Sequence, residues 1–195
     1  MSSFSGLWAQ LLARAWGEGH LRRETLPADV QALAKAWHSA IKDLELPWFA
    51  REKVRQGTHA ALIGLAIQPG GTFLALSVGD CCLFQVRADT LIEAFPARHP
   101  EALDAHPYLI STQGDPSLDE AARTLLGRWQ SGDTLFLMSD ALARWFLESV
   151  VIREQRPWTW LETLTDAKAL PAALRPLQAD GLLARDDVTL AVMRL

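Results

Sequence analysis

The stretch from Gly132 to Phe146, GDTLFLMSDALARWF, constrains the fold of this chain more than any other. Thr134 to Met138 is short, apolar and rich in strand formers, which suits a strand buried on both faces; Ala141 to Leu147 suits a helix packed beside it. Asp140 then sits at the strand's end. A carboxylate held there by rigid backbone at a sheet edge is how a binding or catalytic acid is usually presented. The plainer reading of the Ser-Asp junction is that Asp140 only caps the helix that follows.

A chain of 195 residues is read most simply as one domain, long enough to bury roughly 70% of the surface its unfolded form exposes. A net charge of −4 and the lack of a dense Lys/Arg cluster exclude the electrostatic footprint of a nucleic-acid binder. Cys81 and Cys82 are adjacent, so in a strand they point to opposite faces and suit neither a mutual disulfide nor a metal site. That usage fits a reducing compartment, and with no apolar run of bilayer length and no leader-like N-terminus the chain is expected to be cytoplasmic, with no membrane partner. Most of the eight tryptophans fall in expected helices and are read as packing residues.

From Ser5 to Trp16, Leu7, Trp8, Leu11, Leu12, Ala15 and Trp16 follow the spacing of one helix face, ended by Gly17 and Gly19. Such a face must be buried on later elements, or on something encoded upstream. A second helix is expected over Pro27 to Leu44 and a short one over Trp48 to Gln56. After Gly57 the texture changes: Thr58 to Ile67, Thr72 to Val78, Cys81 to Arg87 and Thr90 to Phe95 read as an antiparallel meander of four short strands. Pro96 to Ser117 reads as a long loop placed to border a site, and Asp115-Pro116 as the start of a helix that Gly127 stops. Beyond the opening motif, helices near Pro157 to Leu164 and Ala167 to Leu177 precede a last strand, Val188 to Met193. Helices flanking a block of strands, without repeat or linker, give a single α+β domain over residues 1–195.

Three acids stand at strand ends. Asp140 ends one strand, Asp186 stands just before another, and Asp80 lies in the Gly79-Asp80 turn. If those strands are antiparallel neighbours, the carboxylates meet at one sheet edge, where they must hold protons or bind a hard cation such as Mg²⁺ or Mn²⁺. Asp133, at the other end of its strand, cannot join them. Exposed turn aspartates are the plainer reading of Asp80 and Asp186. The histidines show no zinc-site spacing, Ser139 lacks the glycine-flanked elbow of a hydrolase nucleophile, and the glycine pairs lack a phosphate loop's Lys.

Taken in order, Gly57-Thr58-His59-Ala60-Ala61, Ser77-Val78-Gly79-Asp80-Cys81, Gly132-Asp133 with Ser139-Asp140-Ala141-Leu142, and Asp186-Asp187-Val188-Thr189 resemble the metal-dependent protein phosphatases of type 2C (the PPM superfamily), in its bacterial branch. That family's patterns are Gly-Thr-Thr-Ala, Val-Gly-Asp-Ser, Gly-Asp followed by Ser/Thr-Asp-Gly, and Asp-Asn-x-Thr. The resemblance implies a four-layer α-β-β-α sandwich of two packed, mainly antiparallel sheets, and a site of two or more Mn²⁺ or Mg²⁺ ions. Those ions activate a water that hydrolyses phosphoserine and phosphothreonine in a protein substrate. Carried over by position, Asp140 and Asp186 match metal-binding aspartates and Asp80 an acid of a looser additional metal. The implied setting is a Ser/Thr kinase pathway, with a monomeric chain.

The departures from the family also carry expectations. Its first metal-binding acid lies in an Asp-Gly pair on an early strand before the first long helix, and only Met1 to Phe4 precede Ser5 to Trp16 here. Ala141, Cys81 and Asp187 replace the usual Gly, Ser and Asn. The sequence-based expectation is an N-terminally incomplete phosphatase domain with reduced or absent turnover. The alternative is a phosphatase-like module that binds a phosphoprotein or regulates a signalling partner.

Overall fold

The computed structural model describes residues 4–42, 44–45, 47–103, 106–164 and 166–195. In chain order the elements are α1 (Phe4–Gly17), α2 (Leu26–Ile41), α3 (Trp48–Gln56), β1 (His59–Ala60), β2 (Leu62–Gln68), β3 (Thr72–Val78), β4 (Cys82–Arg87) and β5 (Thr90–Phe95). A 3₁₀ turn (Pro100–Ala102), β6 (Ile110–Ser111), α4 (Leu118–Ala121), β7 (Arg123–Arg128) and β8 (Thr134–Met138) follow, then α5 (Asp140–Val151), α6 (Pro157–Leu161), a 3₁₀ turn (Ala167–Ala169), α7 (Leu170–Ala179) and β9 (Leu190–Arg194). Sheets and helices in this mixture make the α+β class expected from the sequence. No helix among the described residues is long and apolar enough to cross a membrane.

Contacts divide the chain into two compact units, the first Met1–Ala66, Leu74–Gly79 and Pro107–Leu125, the second Ile67–Phe73, Asp80–His106 and Leu126–Leu195. In the first unit the amphipathic faces of α1 and α2 close on each other and on β2, β3 and β6, burying Trp8, Leu12, Val30, Trp37, Leu76 and Ile110. The indole nitrogens are satisfied as they are buried: Trp8 Nε1 donates to the Ile110 carbonyl at 2.9 Å and Trp37 Nε1 to the Phe4 carbonyl at 3.1 Å. No side chain caps α2. Burial of Leu26, Val30 and Ile41, about 1.5–3 kcal/mol each, outweighs the roughly 1 kcal/mol a cap contributes.

The second unit is built on a four-stranded sheet in the order β5–β4–β8–β9, antiparallel at every pairing. Four of the five residues of β8 are buried, as a strand covered on both faces requires. Helix α5 lies against it: Phe146 stacks on Phe84 at 4.2 Å between ring centroids and contacts Phe136 and Trp158. Trp8, Trp37, Trp145 and Trp158 are core residues, as read from the sequence, while Trp48 is 81% exposed.

Several boundaries differ from the sequence reading. The single strand expected over Thr58 to Ile67 is two, because the chain changes partner at Ala61: β1 pairs with β6 and β2 with β3. Gly79 packs there, its absent Cβ having no room 2.8 Å from the Ala61 Cβ. The expected meander is divided between two sheets, β2 and β3 joining β7 while β4 and β5 join β8 and β9. Gly79, at φ +102, redirects the chain between β3 and β4 instead of closing a hairpin. The long loop contains β6 and a 3₁₀ turn.

The largest correction concerns the helix expected between Asp115 and Gly127. Only Leu118–Ala121 is helical, and Arg123–Arg128 is strand β7. Pairing with β3 overrides local helix propensity there, and Gly127 is a packing residue of the strand, not a helix stop: its face is filled by the Phe73 ring.

Candidate functional site

Three strand ends define the site. In the ladders of the second unit Cys82 pairs with Met138, and Met138 with Leu190. Because β8 is antiparallel to both neighbours, its last residue lies beside the first residues of β4 and β9. Asp80 stands two residues before Cys82, Asp140 two after Met138 and Asp186 four before Leu190, so all three come to the same end of the four-stranded sheet. Asp133 begins β8 at the opposite end.

Asp140 is the first residue of α5 and half-buried, and its charge opposes the positive end of the helix dipole. It follows Ser139, which occupies the N-cap position but makes no side-chain cap. The Ser139 hydroxyl instead donates to the Asp187 carbonyl at 3.3 Å and accepts from the Thr189 amide at 3.0 Å, fastening the start of α5 to the segment that carries Asp186. Asp186 is exposed and its carboxylate accepts from the Asp187 amide at 2.7 Å. Asp80 is half-buried in the turn after Gly79.

The electrostatics tie the three acids together. Burial holds the Asp80 carboxyl above its usual range, and the charge of Asp140, then that of Asp186, pushes in the same direction; its own backbone hydrogen bond and the Arg144 guanidinium push the other way. Arg144 lies one turn beyond Asp140 on α5, on the same helix face. It donates to the Pro100 carbonyl at 3.2 Å and the Leu103 carbonyl at 2.6 Å, holding the 3₁₀ turn beside the acids. The sequence reading passed over this residue, and its signal was the four-residue spacing from Asp140. Cys81 and Cys82 adjoin Asp80 but form no disulfide, and burial above all pushes both thiols up to about 12, which leaves them protonated and unreactive.

Carboxylate oxygens without nitrogen or sulfur are the donor type that a hard divalent cation takes, and mutual repulsion at Asp80 is the electrostatic condition that such a cation relieves. Among the described residues no group of three His, Cys, Asp or Glu side chains stands close enough to hold a metal ion. Asp133 is excluded from any such role. Its carboxylate has no exposed surface and accepts from Arg87 Nε and Nη2, both at 2.7 Å, from Gln85 Nε2 at 2.7 Å and from the Gln130 amide at 3.0 Å.

No protein-family model matches the sequence, and no curated protein matches it either. Solved structures do match the fold. The PPM Ser-Thr phosphatase MsPP from Mycobacterium smegmatis, in complex with cacodylate, is 17% identical with a TM-score of 0.53, over 96% of this chain and 80% of that one. The catalytic domain of the serine threonine protein phosphatase PstP, in complex with two manganese ions, is 19% identical with a TM-score of 0.51, over 97% of this chain and 79% of that one. The chain therefore has the α+β fold of the PPM-type Ser/Thr phosphatases.

Proposed function

We propose that this chain is a PPM-type phosphatase domain acting on phosphoserine or phosphothreonine in a protein of a kinase-linked signalling pathway. Asp80, Asp140 and Asp186 are the proposed ligands of Mn²⁺ or Mg²⁺. One observation carries the reading: strand pairing brings three aspartates to one sheet end, and Asp80 feels the charge of the other two. A bound divalent cation supplies, in such a site, a water of lowered pKa and positive charge for phosphoryl oxygens. The chain's own part is to hold the carboxylates: Asp140 on the rigid start of α5, Asp186 through the Ser139 hydroxyl, Asp80 in its turn. The setting we infer is a cytoplasmic, monomeric domain.

The test is Mn²⁺-dependent hydrolysis of an aryl phosphate and of a phosphothreonine peptide by the purified chain, beside Asp140→Asn. Metal-dependent turnover that the substitution abolishes supports the proposal; no turnover at any Mn²⁺ concentration sinks it.

A second reading is a non-catalytic module on the same fold that binds a phosphoprotein or regulates a signalling partner. The spacing of the three acids favours it, since among the described residues they do not close into a three-donor set. Saturable binding of the phosphothreonine peptide without its hydrolysis distinguishes this reading from the first.

A further inference from the structure

A cleft of about 350 Å³ lies in the first unit, between the turn that follows α1 and the β2–β3–β7 sheet. Its walls are apolar: the half-buried Trp16, Ala66 and Leu74 supply the accessible surface, while Leu21 and Leu76 are buried in the core. Its rim carries Arg22, Arg23 and Glu24. The volume falls within the range of small-molecule sites, and an apolar body with a few polar groups at its mouth is their usual composition.

The cleft is held open by fixed groups. Trp16 lies across Gly64 so closely that a Cβ there would come within 2.4 Å of the indole, and Trp16 Nε1 donates to the Leu65 carbonyl at 3.3 Å. Arg23 is committed to Asp119, pairing with its carboxylate and donating to its carbonyl at 3.0 Å. Arg22 is anchored but not neutralised. Its amide donates to the Asp29 carboxylate at 3.2 Å and its Nε to the Gly19 carbonyl at 3.2 Å, while its guanidinium pairs with no carboxylate among the described residues. Arg22 thus stands on the rim of the apolar cleft with its guanidinium in no ion pair among the described residues. Glu24, on the same rim, is exposed and makes no bond among the described residues, so it can turn to solvent.

We propose that this cleft is a binding site for a small amphipathic organic anion, an aromatic or branched aliphatic body bearing one carboxylate, phosphate or sulfonate. The body lies against the Trp16 indole and Leu74, and the anionic group takes the terminal amino groups of Arg22 in a charge-assisted pair. The site shares no residue with the acid end of the second unit and does not depend on the proposed phosphatase activity.

Calorimetric titration of the full chain with naphthalene-1-sulfonate, and with neutral naphthalene-1-methanol as control, tests it. The sulfonate is expected to bind saturably at one site, and more tightly than the alcohol. Arg22→Gln weakens the sulfonate about three- to tenfold and leaves the alcohol unchanged, while Glu24→Gln strengthens the sulfonate by removing a like charge. Thr124→Trp, at an exposed position on the cleft wall, fills the space and abolishes both. All three substitutions are at surface positions, and unchanged thermal unfolding establishes that each variant is folded. The proposal is overturned by the absence of saturable sulfonate binding, or by binding that neither Arg22→Gln nor Thr124→Trp diminishes.

Discussion

Ser139 and Thr189 exchange hydrogen bonds across the end of the β8–β9 ladder: the Ser139 amide donates to the Thr189 carbonyl at 3.1 Å, and the Thr189 amide to the Ser139 hydroxyl at 3.0 Å. The exchange extends the pairing one position past Met138 and Leu190, into the segments that carry Asp140 and Asp186. A serine at the N-cap position ordinarily spends its oxygen on the helix. Here that oxygen fixes one acid relative to another.

Replacing this hydroxyl should therefore affect the acid end more than the fold. Ser139→Ala is expected to cost only about 0.5–1.5 kcal/mol in urea unfolding, because Thr189 is exposed and its amide can turn to water. Mn²⁺ affinity, measured calorimetrically, is expected to fall by a larger factor than that of a control substitution of equal stability cost. Ser139→Thr, which keeps the hydroxyl, should restore it.

At the other end of β8, Asp133 is a buried anion with four hydrogen bonds, and its energetics are those of structure. The bidentate Arg87 guanidinium, foremost, holds its carboxyl below the usual carboxylate range against the cost of burial. A depressed folded-state pKa gives stability that is present in full above the unfolded value, about 4, and is lost as pH falls through the folded one. Urea midpoints followed from pH 5 downwards should thus fall more steeply in the wild type than in Asp133→Asn. Arg87→Met leaves a buried carboxylate without its cation and is expected to cost about 2–4 kcal/mol at neutral pH, the pair being one-third exposed only on the Arg87 side. A loss under 1 kcal/mol would contradict this assignment.

What the sequence made legible was local. The bounds of Thr134 to Met138, Thr72 to Val78 and Thr90 to Phe95 are legible because glycine, aspartate, serine or proline flanks each apolar run, and each acid is placed near a strand end for the same reason. Two kinds of information were not local. One is partner choice: nothing between Asp115 and Gly127 announces that Arg123–Arg128 pairs with β3, some 50 residues away. The other is register, which alone decides that the ends holding Asp80, Asp140 and Asp186 coincide. The Arg144 contacts were hidden in the same way, since they run to backbone carbonyls with no side-chain signature.

Gly127 packs as a strand residue, and that role can be measured. A helix stop would tolerate alanine at modest cost, whereas in β7 a Cβ would lie 2.1 Å from the ring of Phe73, which is fully buried. Gly127→Ala is expected to destabilise by about 1–3 kcal/mol through overpacking. The double variant with Phe73→Leu should recover part of that loss, a coupling that a helix stop would not show.

Arg144 couples the acid end to its neighbouring turn, and its two contributions separate by sign. Its guanidinium holds the Pro100 and Leu103 carbonyls, so losing it should reduce stability by about 1–2 kcal/mol. Its positive charge also stands beside Asp80 and Asp140, where it opposes any incoming cation. Arg144→Met is therefore expected to unfold at lower urea yet bind Mn²⁺ about two- to fivefold more tightly at low ionic strength, and less so as salt screens the charge. Arg144→Lys keeps the charge but not the forked geometry, and should lose stability with metal affinity unchanged. If Arg144→Met binds Mn²⁺ no better than Arg144→Lys, the guanidinium is a strut for the turn and has no electrostatic part in the site.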